Sequence, residues 1–247
     1  MGASMGAVAS EEVRLRPDET STFAVVLYLD AETEDRLLGL WAALDVHDVA
    51  SPARTYGAGY RPHLTLSVVD TADPDRLRPD LEAALTDVSG LPLTLSALGL
   101  FLPPPCPAYL AVTPTRRLLE LHEQVYDALE GTPCWGHYLP DAWVPHCTLA
   151  MCVESTSTVS DVVSQIALPI HAEVSEAHLV EIPRRGGVGL TAARFGGGEA
   201  AIPAQSRHPH DDPPDDPHHH AHNGPRGHRD RPTPLFVPGL SQGLALG

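Results

Sequence analysis

The chain of 247 residues carries 32 acidic side chains against 16 basic ones, a formal net charge of −16, and every basic residue is arginine. So negative a protein repels polyanions, because long nucleic acids are gripped mainly by basic side chains on phosphates; this argues against a partner that is duplex nucleic acid and leaves small nucleotides and chain ends open. A hydrophobic share of 43% is ordinary for a buried core, and the acidity belongs to the part before residue 200, which holds 27 of the acids and 12 of the arginines.

Residues 1–21, rich in Gly, Ala and Ser and then charged, are expected to form a flexible leader. Glu11 and Glu12 do not suit a signal peptide, and no run is long and apolar enough to span a membrane. Cys106, Cys134, Cys147 and Cys152 have no CxxC spacing, so free thiols in a cytoplasmic protein are expected. Residues 22–30 read as a strand. Residues 31–44 read as a helix, with Leu37, Leu40, Trp41 and Leu44 at amphipathic spacing and acids in the first turn. A loop over 51–59 leads to a strand over 60–69 that contains Pro62-His63-Leu64-Thr65-Leu66. Asp73-Pro74 opens a helix carrying Leu77, Leu81 and Leu85; strands at 91–102 and 108–113 follow, joined by the turn Pro103-Pro104-Pro105.

The second half repeats this order. Residues 115–130 form a helix with Leu118, Leu121, His122, Val125 and Leu129 on one face, and 131–141 form a loop. The strand at 143–151 then contains Pro145-His146-Cys147-Thr148-Leu149, and a short helix at 160–167 precedes closing strands at 171–182 and 187–195. Matching element order around a matching Pro-His-x-Thr-Leu motif points to an internal duplication and an α+β fold, with helices covering one face of each sheet. Residues 197–247, rich in Pro, His and Asp, cannot bury a core and read as a disordered tail, so the folded domain is placed at 22–196.

On a strand, alternate side chains share a face, so His63 and Thr65 point one way and His146 and Thr148 do likewise. Leu64, Leu66 and Val68, and Cys147, Leu149 and Met151, are assigned to the opposite, buried face. A single histidine on a strand is usually structural. Its recurrence at identical spacing with the same Pro, Thr and Leu has no packing reason, since strand propensity favours Val or Ile there. Two histidines suit a reaction at phosphorus: one takes a proton from the attacking oxygen while the other gives one to the leaving oxygen. The two threonine hydroxyls can donate to the non-bridging phosphate oxygens. No metal and no cofactor is needed, and two histidines without carboxylates nearby make a poor metal site. By alternation Tyr28 and Tyr109 line the groove walls as candidate stacking platforms for a base. Trp143 reads as core or groove rim, and His122 and His137 as structural.

The pair His63-Leu64-Thr65-Leu66 and His146-Cys147-Thr148-Leu149 resembles the two H-x-T-x signatures of the two-histidine (2H) phosphoesterase superfamily, in its 2′–5′ RNA ligase / RNA 2′,3′-cyclic phosphodiesterase branch. The resemblance covers roughly residues 22–196. It implies a bilobal, duplicated fold in which two antiparallel sheets line a central groove and the helices lie outside. It also implies metal-independent opening of a 2′,3′-cyclic phosphate on a small nucleotide or RNA end, with His63 and His146 as the acid/base pair and Thr65 and Thr148 holding the phosphate. Many members carry a basic residue after the second motif; here Ala150, Met151 and Cys152 stand there, and Arg61 and Arg54 are the candidate replacements for substrate binding. A chain without lysine cannot charge one with nucleotide, so ligation would be the reversal of cyclic-phosphate opening.

A rival reading gives the function to the tail. Seven histidines at 208–228, interleaved with Asp, would bind Ni²⁺, Zn²⁺ or Cu²⁺ loosely in a non-enzymatic metal- or nucleotide-binding protein. A monomer is expected.

Overall fold

The structure, a computed structural model, describes residues 21–71, 73–102, 106–183 and 188–196. Residues 1–20 of the leader, the turn at 103–105 and the histidine-rich tail lie outside the described residues, and Ser21, assigned to the leader, opens the first strand. β1 (Ser21–Leu29) runs into α1 (Ala31–Val46), which Asp30 caps by accepting from the Thr33 N–H at 2.9 Å. After α2 (Pro52–Tyr56) comes the first histidine strand, β2 (His63–Thr71). A 3-10 turn at Pro74–Leu77 continues as α3 (Arg78–Leu85), followed by β3 (Pro92–Leu100). The second half runs β4 (Ala108–Val112), α4 (Arg116–Ala128), β5 (His146–Ala150), α5 (Thr156–Val163) and β6 (Ile170–Ile182), and β7 (Leu190–Phe195) follows. Strand, helix, histidine strand, helix, strand therefore occurs twice.

Two segments differ from the sequence expectation. The loop at 51–59 holds α2, because Ser51 caps it by accepting from the Arg54 N–H and Pro52 occupies the first turn, where its missing N–H costs nothing. α5 begins at Thr156 rather than 160. Its Ser/Thr/Val start has weak helix propensity, but Ser155 caps it and burial of Val159, Val162 and Val163 outweighs that preference.

Every strand pairing is antiparallel. The sheet order is β1-β2-β5-β4-β3-β6-β7, and β1 also pairs with β6. Two four-stranded arrays result, β2-β1-β6-β7 and β5-β4-β3-β6. With 13 residues β6 serves both: residues 170–173 pair with β3, and 174–182 pair with β1. Each half thus gives its last strand to the other half's array. The arrays meet again where Leu64 of β2 pairs with Cys147 of β5.

The helices pack on the face of the arrays that carries Leu64, Leu66, Leu110, Cys147 and Leu149, all essentially inaccessible to water. They contribute Leu37, Trp41 and Leu44 from α1, Leu81 and Leu85 from α3, Leu118 and Val125 from α4, and Val159 from α5. α1 packs on β5 and α4 on β2, so each half's first helix supports the other half's histidine strand. At about 1.5–3 kcal/mol for each fully buried aliphatic side chain, this layer holds the two histidine strands in register. Among the described residues no helix is long and apolar enough to cross a membrane.

Candidate active site

The single rung between Leu64 and Cys147 fixes the site. In an antiparallel pair the adjoining positions set His63 across from Thr148, and Thr65 across from His146. All four side chains leave the strands on the face opposite Leu64 and Cys147, and all four line one groove. The histidines occupy one diagonal and the threonines the other. With strands about 5 Å apart and a rise of about 3.3 Å per residue, the diagonal between histidine Cα atoms is roughly 8 Å. That distance lets two imidazoles reach opposite sides of one phosphate.

Both strands break their alternation at the same place. Val25 pairs with Ser67 and Val26 with Thr65, which leaves Leu66 extra; Ala108 pairs with Ala150 and Tyr109 with Thr148, which leaves Leu149 extra. A β-bulge at the leucine of each motif re-aims the side chains beyond it. Val68 and Met151, assigned to the core by strict alternation, therefore line the groove instead. Leu64, Leu66, Cys147 and Leu149 are in the core as expected.

Each imidazole is fixed by the segment that leads into its strand. His63 Nδ1 lies 2.8 Å from Arg61 O, and His146 Nδ1 lies 2.7 Å from Val144 O. A carbonyl oxygen only accepts, so each Nδ1 carries the hydrogen and each Nε2 is left with its lone pair for chemistry. Burial lowers the pKa of both below the ordinary histidine value. The bonds to Arg61 O and Val144 O oppose that effect, while at His63 the charges of His146 and Arg61 add to it.

The threonine backbones are held in parallel fashion. Trp143 Nε1–H donates to Thr65 O at 3.0 Å, and Trp41 Nε1–H of α1 donates to Thr148 O at 3.1 Å. Trp143 stacks flat on His122 of α4, with ring centroids 4.1 Å apart, and His122 Nε2 bonds Tyr138 O at 3.0 Å. The Thr65 hydroxyl meets the Tyr138 phenol, whose pKa burial pushes up to about 12.

Tyr28 pairs with His63 and lines the groove, its ring edge-on to the imidazole at 6.1 Å. Tyr109 pairs with Thr148 on the other side, stacks on Phe101 at 4.3 Å and meets His146 edge-on at 5.2 Å. A side chain at Gly99 would collide with the Tyr109 ring, so glycine there is what lets the ring lie down. Arg61 lines the groove, but its guanidinium is engaged: Nε and Nη2 fork onto Glu34 at 2.9 and 2.8 Å, and Nη1 reaches Glu176 at 3.1 Å. It also lies over the Tyr28 ring at 4.0 Å. Arg54 pairs with Asp48 at 3.5 Å on the exposed surface and is not in the groove lining.

Several groove residues escaped the sequence reading. Tyr60 lines the groove 5.3 Å from the His63 ring, whereas Phe101, 4.9 Å from the His146 ring, lies outside the groove lining, as does Tyr109, which alternation had placed on the groove wall. Trp135 and Tyr138 reach the groove from the loop at 131–141, where two large aromatics within eleven residues were the available signal. Buried His178 lies behind Tyr28, with Nε2 2.9 Å from Glu176 Oε2 in poor hydrogen-bond alignment and Nδ1 3.2 Å from Thr191 Oγ1.

The family model described as 2'-5' RNA ligase superfamily matches residues 40–186, more than half of the chain. None of the curated protein sequences matches significantly. Among solved structures, E. coli LigT complexed with 3'-AMP superposes with a TM-score of 0.50 at 16% identity, covering 73% of this chain and 99% of that one. TT0787 of Thermus thermophilus gives 0.47 at 17% identity, covering 70% and 96%. The first of these shows the same fold. With the family match spanning both histidine strands, the chain belongs to the 2'-5' RNA ligase superfamily.

Proposed function

We propose that this protein opens a 2′,3′-cyclic phosphate on a nucleotide or RNA end to a phosphomonoester, by acid/base catalysis from His63 and His146. The observation that carries the reading is the diagonal pair itself: two imidazoles on one groove, each with Nδ1–H tied to a backbone carbonyl. One Nε2 takes the proton of the attacking water as its oxygen bonds phosphorus. The other, protonated, gives its Nε2–H to the ribose oxygen as the P–O bond of the ring breaks. Thr65 and Thr148, on the crossing diagonal, donate to the non-bridging oxygens as their charge grows. None of these steps calls on a metal. With a ribose 5′-hydroxyl entering in place of water, the same groups open the ring by alcoholysis: the 5′ oxygen bonds phosphorus, the 3′ oxygen leaves with the acid's proton, and a 2′–5′ phosphodiester remains, which is ligation. The shared fold with LigT, a protein solved with the nucleoside monophosphate 3'-AMP, supports a small nucleotide as ligand.

Arg61 acts through His63 in this reading. Its carbonyl fixes the His63 tautomer, and its side chain is anchored by Glu34, Glu176 and the Tyr28 face. Arg61→Met is therefore expected to lower kcat by about 10 to 10², the scale of a misplaced catalytic group, with little change in KM. A phosphate-binding role would instead raise KM, so steady-state kinetics separates the two.

The active form holds one proton on the pair. Rising pH removes it from the acid, and falling pH adds one to the base. Since burial first of all lowers both pKa values below the ordinary 6.5, kcat/KM is expected to peak below that pH and to fall above it. A peak at alkaline pH would contradict the assignment. The direct test is turnover of 2′,3′-cyclic AMP, GMP, CMP and UMP in excess EDTA with the product isomer identified. No turnover of any of the four would overturn the proposal.

A further inference from the structure

The groove continues past the histidines. Along β1 and β2 the rungs read Tyr28–His63, Val26–Thr65 and Ala24–Val68, and β6 sets Val180 beside Ala24 and Ile182 beyond it. Ala24, Val68, Val180, Ile182, Trp135 and Val188 line this extension, and they share a single cavity with both histidines and both threonines. The bulge at Leu66 is what turns Val68 into it.

The described side chains that line this arm are apolar. Trp135 Nε1–H is donated to Asp70 Oδ2 at 3.0 Å, and Asp70 Oδ1 accepts from Thr22 at 2.6 Å, so the polar atoms nearest the arm are already satisfied. On the other half the rung equivalent to Val26–Thr65 is Tyr109–Thr148, and there the Tyr109 ring lies over Gly99 and stacks on Phe101. The two sides of the phosphate position are thus unequal, which gives a substrate one way to lie. Along β1 the Ala24 rung lies two residues beyond the Val26–Thr65 rung, about 7 Å at the usual strand rise. A ribose ring and its glycosidic bond span that gap from a phosphorus held at Thr65.

Resting on the cyclic-phosphate reading above, we infer that this arm seats the nucleobase of the substrate by apolar contact alone. The enzyme then reads the size and flatness of the base, while its hydrogen-bonding edge stays in water at the open mouth, where it avoids the cost of burial without a partner. Purines fit better than pyrimidines through larger buried area, and adenine is hardly distinguished from guanine.

The test compares kcat/KM for the four 2′,3′-cyclic nucleotides, for the N6-methyladenosine analogue, and for glycerol 1,2-cyclic phosphate, which carries the ring phosphate without a base. The glycerol compound is expected to be turned over about 10² less efficiently than the purine nucleotides, the worth of one apolar contact surface of that size. The four nucleotides are expected to fall within about tenfold, purines first, and N6-methylation to change little. Ala24→Phe, which fills the arm, is expected to lower the ratio of cyclic AMP to glycerol cyclic phosphate turnover by about tenfold or more. A preference beyond about 10² for one base, loss of turnover on N6-methylation, or an unchanged ratio in a folded Ala24→Phe variant would overturn the inference. The wild-type comparisons decide it even where the variant does not fold. Turnover of none of the compounds would overturn the cyclic-phosphate reading, whereas equal turnover of nucleotides and glycerol compound would overturn only the base-seating arm.

Discussion

His63→Ala and His146→Ala are each expected to lower kcat on a 2′,3′-cyclic nucleotide by about 10² to 10⁴, the usual worth of a positioned acid or base. The size follows from the geometry. Each imidazole is held at Nδ1 by a carbonyl two residues earlier, in the segment that leads into its strand, so Nε2 arrives already aimed and in one tautomer. Removing the ring frees a carbonyl at the groove, where water can bond it, so folding is expected to survive and melting curves to move little. The two groups act in one step, and the double variant is expected to be no worse than the poorer single one. A diester with a nitrophenyl leaving group needs no proton on departure. It is expected to rescue whichever variant lacks the acid and to leave the other slow, which assigns the roles. Either single variant keeping more than about a tenth of wild-type kcat would remove its histidine from the mechanism.

The two halves are equal in register and unequal in surroundings. Arg61, whose carbonyl holds His63, is locked by two carboxylates and an aromatic face, and the anchoring network runs on to buried His178. Val144, whose carbonyl holds His146, is 43% exposed and has no such anchor. A duplicated scaffold can divide acid from base only by departing from symmetry, and the departures cluster on the side chains around the motifs.

Legibility from sequence stopped at distinct physical limits. The histidine strands, their paired faces and the helices were readable, because period-2 and 3.6 patterns are local: Thr65 shares a face with His63, and Leu37, Leu40, Trp41 and Leu44 face the core. The bulges were not readable. Leu66 and Leu149 look like ordinary strand residues, and only pairing with β1 and β4 makes them extra, so strict alternation puts Val68 and Met151 on the wrong face. The exchange of β3 and β6 was equally hidden, although the 13-residue length of β6 is its trace. Arg61 looked free beside the motif because Glu34 and Glu176 are 27 and 115 residues away in sequence. Charges that cancel at long range leave no local pattern.

Thr65→Val and Thr148→Val are expected to cost about 10² to 10³ in kcat each, the scale of one donor removed from developing charge at a reacting centre. Valine keeps the β-branch and the volume, so strand preference and packing change little and the loss reports on the hydroxyl. Serine at either position restores a donor on the same face and is expected to recover most of the rate. Because Thr65 lies across from His146 and Thr148 across from His63, each hydroxyl works beside the other half's imidazole. Combining Thr65→Val with His146→Ala is therefore expected to fall short of the product of the single losses. The two threonines are also expected to differ. The Thr65 hydroxyl is met by the Tyr138 phenol, which can accept its hydrogen bond or donate to it, and so sets where the Thr65 hydrogen points. Tyr138→Phe is expected to lower kcat in the wild type and to change nothing further in Thr65→Val, while its effect in Thr148→Val matches that in the wild type. An equal Tyr138→Phe loss in all three backgrounds would mean that the phenol acts elsewhere, and that the hydroxyl at Thr65 is oriented by substrate alone.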